Sequence, residues 1–204
     1  MKIGIEINGV LRDTMGKLKM CYEKFLMPNE YNLDEVSDFK YEIIEPIDSM
    51  EIKNHFKFKS DEEIFEFMYE DCPMEIFGHA MSSEMSSFNY LNDFYLKNRE
   101  EHDIYIISDE IGKSKPATLF FLSKFSCLIE NIIFYNEKTK DQTLSKFDLI
   151  VTSNPNVIID YKNNIPIIKY ETNYNKNFSH NLLITTLNDL EEKVKQLQND
   201  KIIQ

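Results

Sequence analysis

Apolar positions in this chain come in short continuous runs, separated by longer stretches of helical period. The runs cover residues 2–7, 103–108, 131–135, 148–152 and 166–170. Each is rich in Ile, Val, Phe or Tyr and is bounded by Asn, Asp, Gly or Pro, the pattern of buried strands. Because they are continuous and do not alternate with polar residues, both faces of the sheet must be covered, which favours parallel pairing. Between the later runs lie helical patterns such as 115–127, where Pro116 suits a first turn. A closing helix over 186–199 places Leu187, Leu190, Val194 and Leu197 on one stripe. The pattern predicts an α/β fold, a Rossmann-like parallel sheet of about five strands covered by helices on both faces.

The stretch between the first two runs is far longer than one crossover helix requires. It carries helical patterns near 14–25, 47–55, 60–69 and 82–96. Ser60 followed by Glu63 is a capping box that marks the start of one helix. Phe56, Phe58, Phe65, Phe67 and Phe77 crowd this stretch, either lining a ligand slot or forming a core of their own, and core is the simpler reading. The expected organisation is an α/β core from residues 1–14 and 99–204, with 15–98 as a helical cap inserted after the first strand.

A hydrophobic fraction of 42% with 13% aromatics can fill a core of that size and argues against disorder over most of the chain. A net charge of −12 disfavours binding to nucleic acid or to anionic membranes, but leaves room for a small phosphorylated ligand in a local pocket. Cys21, Cys72 and Cys127 are odd in number and widely spaced, as reduced core thiols would be in a cytoplasm-like compartment. The four histidines show no metal-ligand spacing. No apolar run reaches the length of a membrane span, and no signal-peptide pattern opens the chain, so a cytoplasmic protein is expected.

Chemistry is expected first at residues 1–14. The run 3–7 ends at Gly9 and hands over to a helix at Asp13 and Thr14, a strand, tight turn and capped helix of the kind that carries reactive groups in α/β proteins. The segment Ile5-Glu-Ile-Asn-Gly-Val-Leu11 resembles the first motif of the haloacid dehalogenase (HAD) superfamily, with Glu6 and Asn8 where that motif has two aspartates. Further resemblances follow in order. Ile104-Tyr-Ile-Ile-Ser108 is a strand ending in a hydroxyl, and Lys113 or Lys115 opens the next helix. Asp148-Leu-Ile-Val-Thr-Ser-Asn-Pro-Asn-Val-Ile158 is a strand running into a Pro-x-x-Ile turn. Ile165-Pro-Ile-Ile168 with Asn173-Tyr-Asn175 is similar to the tail of the small deoxyribonucleotidase-like branch.

The resemblance implies a phosphatase scaffold with altered chemistry. In working relatives the first acid attacks phosphorus, the second protonates the leaving oxygen, and acids on the fourth-motif strand hold Mg²⁺. A catalytic assignment therefore falls on Glu6 and Asn8, phosphate binding on Gly9, Ser108 and Lys115, and the degenerate metal positions on Thr152 and Ser153. Glu6 keeps a carboxylate but carries it one C–C bond farther out, and a displacement of ~1 Å costs on the order of 100-fold. Asn8 cannot titrate, a loss of roughly 100- to 10,000-fold. Thr152 and Ser153 leave Glu6 as the only evident anionic ligand, so no cofactor is expected, with Mg²⁺ relevant only to an active enzyme. Asp13, Asp109 and Glu110 are nearby acids that could restore a metal site, with helix capping and surface charge the simpler expectation. The plain alternative for Gly9, Ser108 and Lys115 is a turn, a strand end and a solvated lysine.

The expected function is a HAD-like pseudo-enzyme in a binding or structural role, with protein partners or self-assembly. AT-rich composition and the nucleotidase-like tail resemble small bacteriophage proteins, which extends the expected location to a host cytoplasm or a virion. Two alternatives remain open: a slow Mg²⁺-dependent 5′-nucleotidase using Glu6, and a non-hydrolysing sensor of nucleotides or phosphometabolites.

Overall fold

The computed structural model describes residues 1–27 and 39–202. Residues 28–38, part of the expected insertion, lie outside the described residues. Six parallel strands form one sheet: β1 (Lys2–Glu6), β2 (Asp103–Ser108), β3 (Ile132–Phe134), β4 (Leu149–Thr152), β5 (Ile167–Tyr170) and β6 (Leu183–Ile184). Their order is β3-β2-β1-β4-β5-β6. The fold is therefore α/β and Rossmann-like, and each of the five expected runs forms a strand. A sixth strand, β6, adds to the five expected. Only two residues long, it pairs through Lys169–Leu183 and Tyr170–Ile184 at the sheet edge, too short for an apolar run to reveal.

Side chains alternate between the two faces, as period 2 requires. Ile3, Ile5, Ile104, Ile106, Leu149, Val151 and Ile168 enter one core with residues of α4 (Ser87–Asn98), α5 (Ser114–Lys124) and α8 (Leu190–Ile202). Ile107, Ile150 and Ile167 enter another with residues of α6 (Lys140–Leu144) and α7 (Pro155–Tyr161). Both faces are covered, which is why the strands read as unbroken apolar runs.

The third core belongs to the insertion and to α1 (Thr14–Phe25). Leu18, Cys21 and Tyr22 of α1 pack with Phe56, Phe67, Met68, Ile76 and Phe77, and with Ala117 from α5. Short helices α2 (Ile52–His55) and α3 (Asp61–Phe65) precede two π-helical stretches, Glu66–Asp71 and Met74–Gly78. Within 15–98, residues up to Phe77 thus build a separate cluster, whereas Phe88, Leu91 and Phe94 of α4 belong to the sheet's core. The phenylalanines at 56, 67 and 77 are buried core. At the α3 cap Ser60 accepts from Glu63 N at 3.3 Å, while the Glu63 carboxylate reaches back to Lys59 N at 2.5 Å. The reciprocal arm of the capping box lands one residue early.

Candidate functional site

In this strand order the chain leaves β1 toward β2 on one side and later adds β4 on the other. The crevice beyond the carboxyl ends of β1 and β4 is the topological switch point where such sheets bind ligands. Glu6 ends β1 and Thr152 ends β4, brought side by side by the parallel register Ile5–Val151. Glu6 shares its face of the sheet with Gly4, and that face is packed by the core containing Tyr135, Phe147 and Ile150.

The Glu6 carboxylate is sealed at 1% exposure. Tyr135 donates its hydroxyl to Oε1 at 2.8 Å, and Thr152 donates to Oε2. Thr152 in turn accepts from Asn154 N at 2.9 Å, just before α7. Burial pushes the Glu6 carboxyl up and the charge of Asp109 adds to it. The hydrogen bonds from Thr152 and Tyr135 and the charge of Lys140 pull the other way, leaving the group raised from 4.5 to about 7. Burial also raises the Tyr135 hydroxyl, with the Glu6 charge as the next cause.

Asn8 is tied in three directions. Its Oδ1 accepts from Arg12 Nη2 at 2.7 Å and from the Thr14 hydroxyl at 2.7 Å, and its Nδ2 donates to Asp109 at 2.9 Å. Gly9 turns the chain at φ +76°, a left-handed conformation that favours glycine. A Cβ there would also overlap the hydroxyls of Tyr174 and Ser153. Ser153 donates to the Asn8 carbonyl at 3.0 Å and shares a 3.2 Å hydrogen bond with Tyr174. Burial pushes the Tyr174 hydroxyl up to about 12.

Tyr174 is held over the turn by its own loop. Asn175, fully buried, donates to the carbonyls of Ser153 and Tyr170, each at 2.8 Å, and accepts from Thr172 N at 2.9 Å. The buried Lys169 ammonium donates to the carbonyls of Asn175 at 2.9 Å and Phe178 at 2.6 Å.

Ser108, at the end of β2, donates to Glu110 Oε1 at 3.1 Å. Glu110 also accepts from Thr118 and from the guanidinium of Arg12. It is therefore buried at 1% exposure, which corrects the expectation of surface charge. Asp13 does cap α1, accepting from Gly16 N at 3.0 Å. Lys115 is exposed, its ammonium 5.7 Å from the Phe134 ring centroid, while Lys113 pairs with Glu70 of the insertion at 2.7 Å.

The structure thus brings Glu6 to Thr152, Gly9 to Ser153, and Ser108 to Glu110. It places Lys115 beside β3, with no hydrogen bond to Gly9 or Ser108 among the described residues. No group of three His, Cys, Asp or Glu side chains suited to a metal occurs among the described residues. Arg12, Tyr135 and Thr118 escaped sequence reasoning. Arg12 is a lone cation in a turn and Tyr135 reads only as a strand end, so neither carries a local signal. No helix of the described residues is long and apolar enough to cross a membrane.

No protein-family model matches this chain, and no curated protein is significantly similar to it.

Proposed function

We propose that this protein is a catalytically impaired relative of the HAD phosphatases that serves in binding or assembly, without efficient phosphoryl transfer. The observation that carries this reading is Glu6, buried with both oxygens already occupied by Tyr135 and Thr152. A nucleophilic carboxylate needs an open face at near-attack distance, and metal-assisted attack needs hard anionic ligands beside it. At this site hydroxyls stand where those ligands would be, and Asn8 offers no proton. Asn8, Gly9 and Ser108 support the same reading, because each polar group or open position is taken up by the chain's own side chains.

The phosphatase character is tested with purified protein and Mg²⁺, on p-nitrophenyl phosphate and a panel of nucleoside monophosphates, beside Glu6→Ala prepared identically. The expected result is no turnover above the variant. Mg²⁺-dependent turnover lost in Glu6→Ala would overturn the reading and establish a slow nucleotidase. The assembly role is tested by oligomeric state and by co-purification with a larger particle. A monomer without a partner, stabilised by nucleotides in a thermal-shift screen, would favour the sensor instead.

A further inference from the structure

The sheet has two edges, and they are not equivalent. At β6 only Leu183 lies between the groups bonded to β5, so a single residue is turned outward. The β3 edge offers more. Ile106 N donates to the Asn131 carbonyl at 2.8 Å and Tyr135 N to the Ser108 carbonyl at 2.9 Å, with Ile106 in register with Ile132 and Ser108 with Phe134. Parallel pairing therefore turns the peptide groups of Ile133 toward β2 and those of Ile132 and Phe134 away from it. β3 ends the strand order, and these two N–H and two carbonyl groups have no hydrogen bond among the described residues. The strand Ile132-Ile133-Phe134 carries no proline and no charge, two guards of an exposed edge, and all three residues are only half-buried.

Two outward residues spaced about Ile133 are complementary to a second copy of themselves. When two such edges meet antiparallel across a two-fold axis at Ile133, Ile132 stands opposite the partner's Phe134, and Phe134 opposite the partner's Ile132. Each is a hydrogen-bonded pair, so the outward groups of both copies satisfy one another completely. The charges fit the same register. Lys115 holds its ammonium 5.7 Å from the centroid of the Phe134 ring. Glu130 precedes Ile132 by two residues, which places the partner's Glu130 diagonally beside Phe134 and the lysine above it. Lys115 and Glu130 are both exposed, and neither has an ion-pair partner among the described residues. Two copies of a chain with net charge −12 repel at long range, so a local cation matched to a local anion selects where they can meet.

We propose that β3 is the self-association edge of this protein. Two copies join antiparallel through Ile132 and Phe134 into one continuous sheet, with Lys115 of each paired to Glu130 of the other. The inference deepens the assembly half of the proposed function and rests on that half alone. Turnover with and without Glu6 reads the phosphatase half separately. A chain that is monomeric yet co-purifies with a larger particle would keep the assembly reading and overturn this one.

Sedimentation equilibrium of the full chain over a concentration series is expected to show a monomer–dimer equilibrium. Lys115→Glu and Glu130→Lys each bring like charges together twice per dimer, and each is expected to raise the dimer Kd about tenfold. The two substitutions combined are expected to recover most of that loss, which a merely local effect of either would not do. Ile132→Pro removes an outward N–H without touching the β2 ladder and is expected to give a monomer, with circular dichroism checking that it is folded. Amide exchange supplies the residue-level readout. The Ile132 and Phe134 amides are expected to be protected in the dimer and to exchange fast on dilution, while Ile133, bonded to β2, stays protected throughout. A wild type that is monomeric at every concentration overturns the proposal, as does a dimer in which the charge substitutions change nothing and the Ile132 and Phe134 amides stay unprotected.

Discussion

Glu6 combines burial, two hydroxyl donors and a neighbouring Asp109 charge, and its raised carboxyl makes stability depend on pH in a defined sense. The native state holds the proton to about pH 7, the unfolded chain only to about 4.5. Between those values the native state binds more protons, so stability falls as pH rises. The contribution is fully present below 4.5 and is lost once pH passes about 7. It amounts to no more than about 3 kcal/mol, from 1.36 kcal/mol per pKa unit. Glu6→Gln is expected to remove this slope and to be more stable than wild type at pH 8, as read by urea unfolding at pH 5 and pH 8. An unchanged slope would mean that Glu6 is ionised throughout. Arg12 is the contrasting case, since its partner is a buried carboxylate. Arg12→Met strands Glu110 and is expected to cost about 3–5 kcal/mol. Arg12→Met with Glu110→Gln is expected to cost less than the sum of the two single changes, which a double-mutant cycle measures.

Two connections do at the level of elements what the residues do singly. The turn after β1 and the loop after β5 interlock through Gly9 and Tyr174. Gly9→Ala must hold a left-handed conformation with a side chain, a cost of about 1–3 kcal/mol. It must also displace the Tyr174 hydroxyl. In a Tyr174→Phe background the same substitution is expected to cost less, because the atom in the way is gone; equal costs would show that the two elements do not touch in solution. Lys169 anchors that loop from β5. Lys169→Met is expected to leave the carbonyls of Asn175 and Phe178 without their donor and to destabilise by about 1–3 kcal/mol. Hydrogen exchange should rise first in residues 172–178.

Over the whole molecule, the insertion joins the sheet through apolar packing, through hydrogen bonds such as Asp13 N to the Met81 carbonyl, Ser83 N to the Leu11 carbonyl and Leu187 N to Glu84, and through the buried cation Arg12. Lys113 and Glu70 form an ion pair across this junction, but their side chains are 61% and 42% exposed. Lys113→Ala is therefore expected to change stability by less than about 1 kcal/mol. Phe77 packs in the insertion's core, faces the Arg12 guanidinium and supplies a carbonyl to it. Phe77→Ala is expected to cost about 3–5 kcal/mol and to loosen the insertion and the β1 turn together, seen as one coincident transition by near- and far-ultraviolet circular dichroism. Two separate transitions would mean that the insertion unfolds by itself.

Local pattern along the chain was enough for the α/β class, the five principal strands and helix α1. Strand and helix periodicities are local, and a sheet buried on both faces leaves its strands as unbroken apolar runs. It also marked Glu6, Asn8, Gly9 and Ser108, because they sit where strands give way to turns. Tertiary structure alone decided what those groups touch. Tyr135 reaches Glu6 from just past the end of β3, across β2, Tyr174 reaches Gly9 from beyond β5, and Arg12 meets Glu110 through the β2–α5 turn. Each pairing joins residues roughly one hundred or more positions apart, and nothing in local composition encodes which buried donor will meet which acceptor. The two-residue β6 is of the same kind: pairing with β5, not its own apolar pattern, makes it a strand.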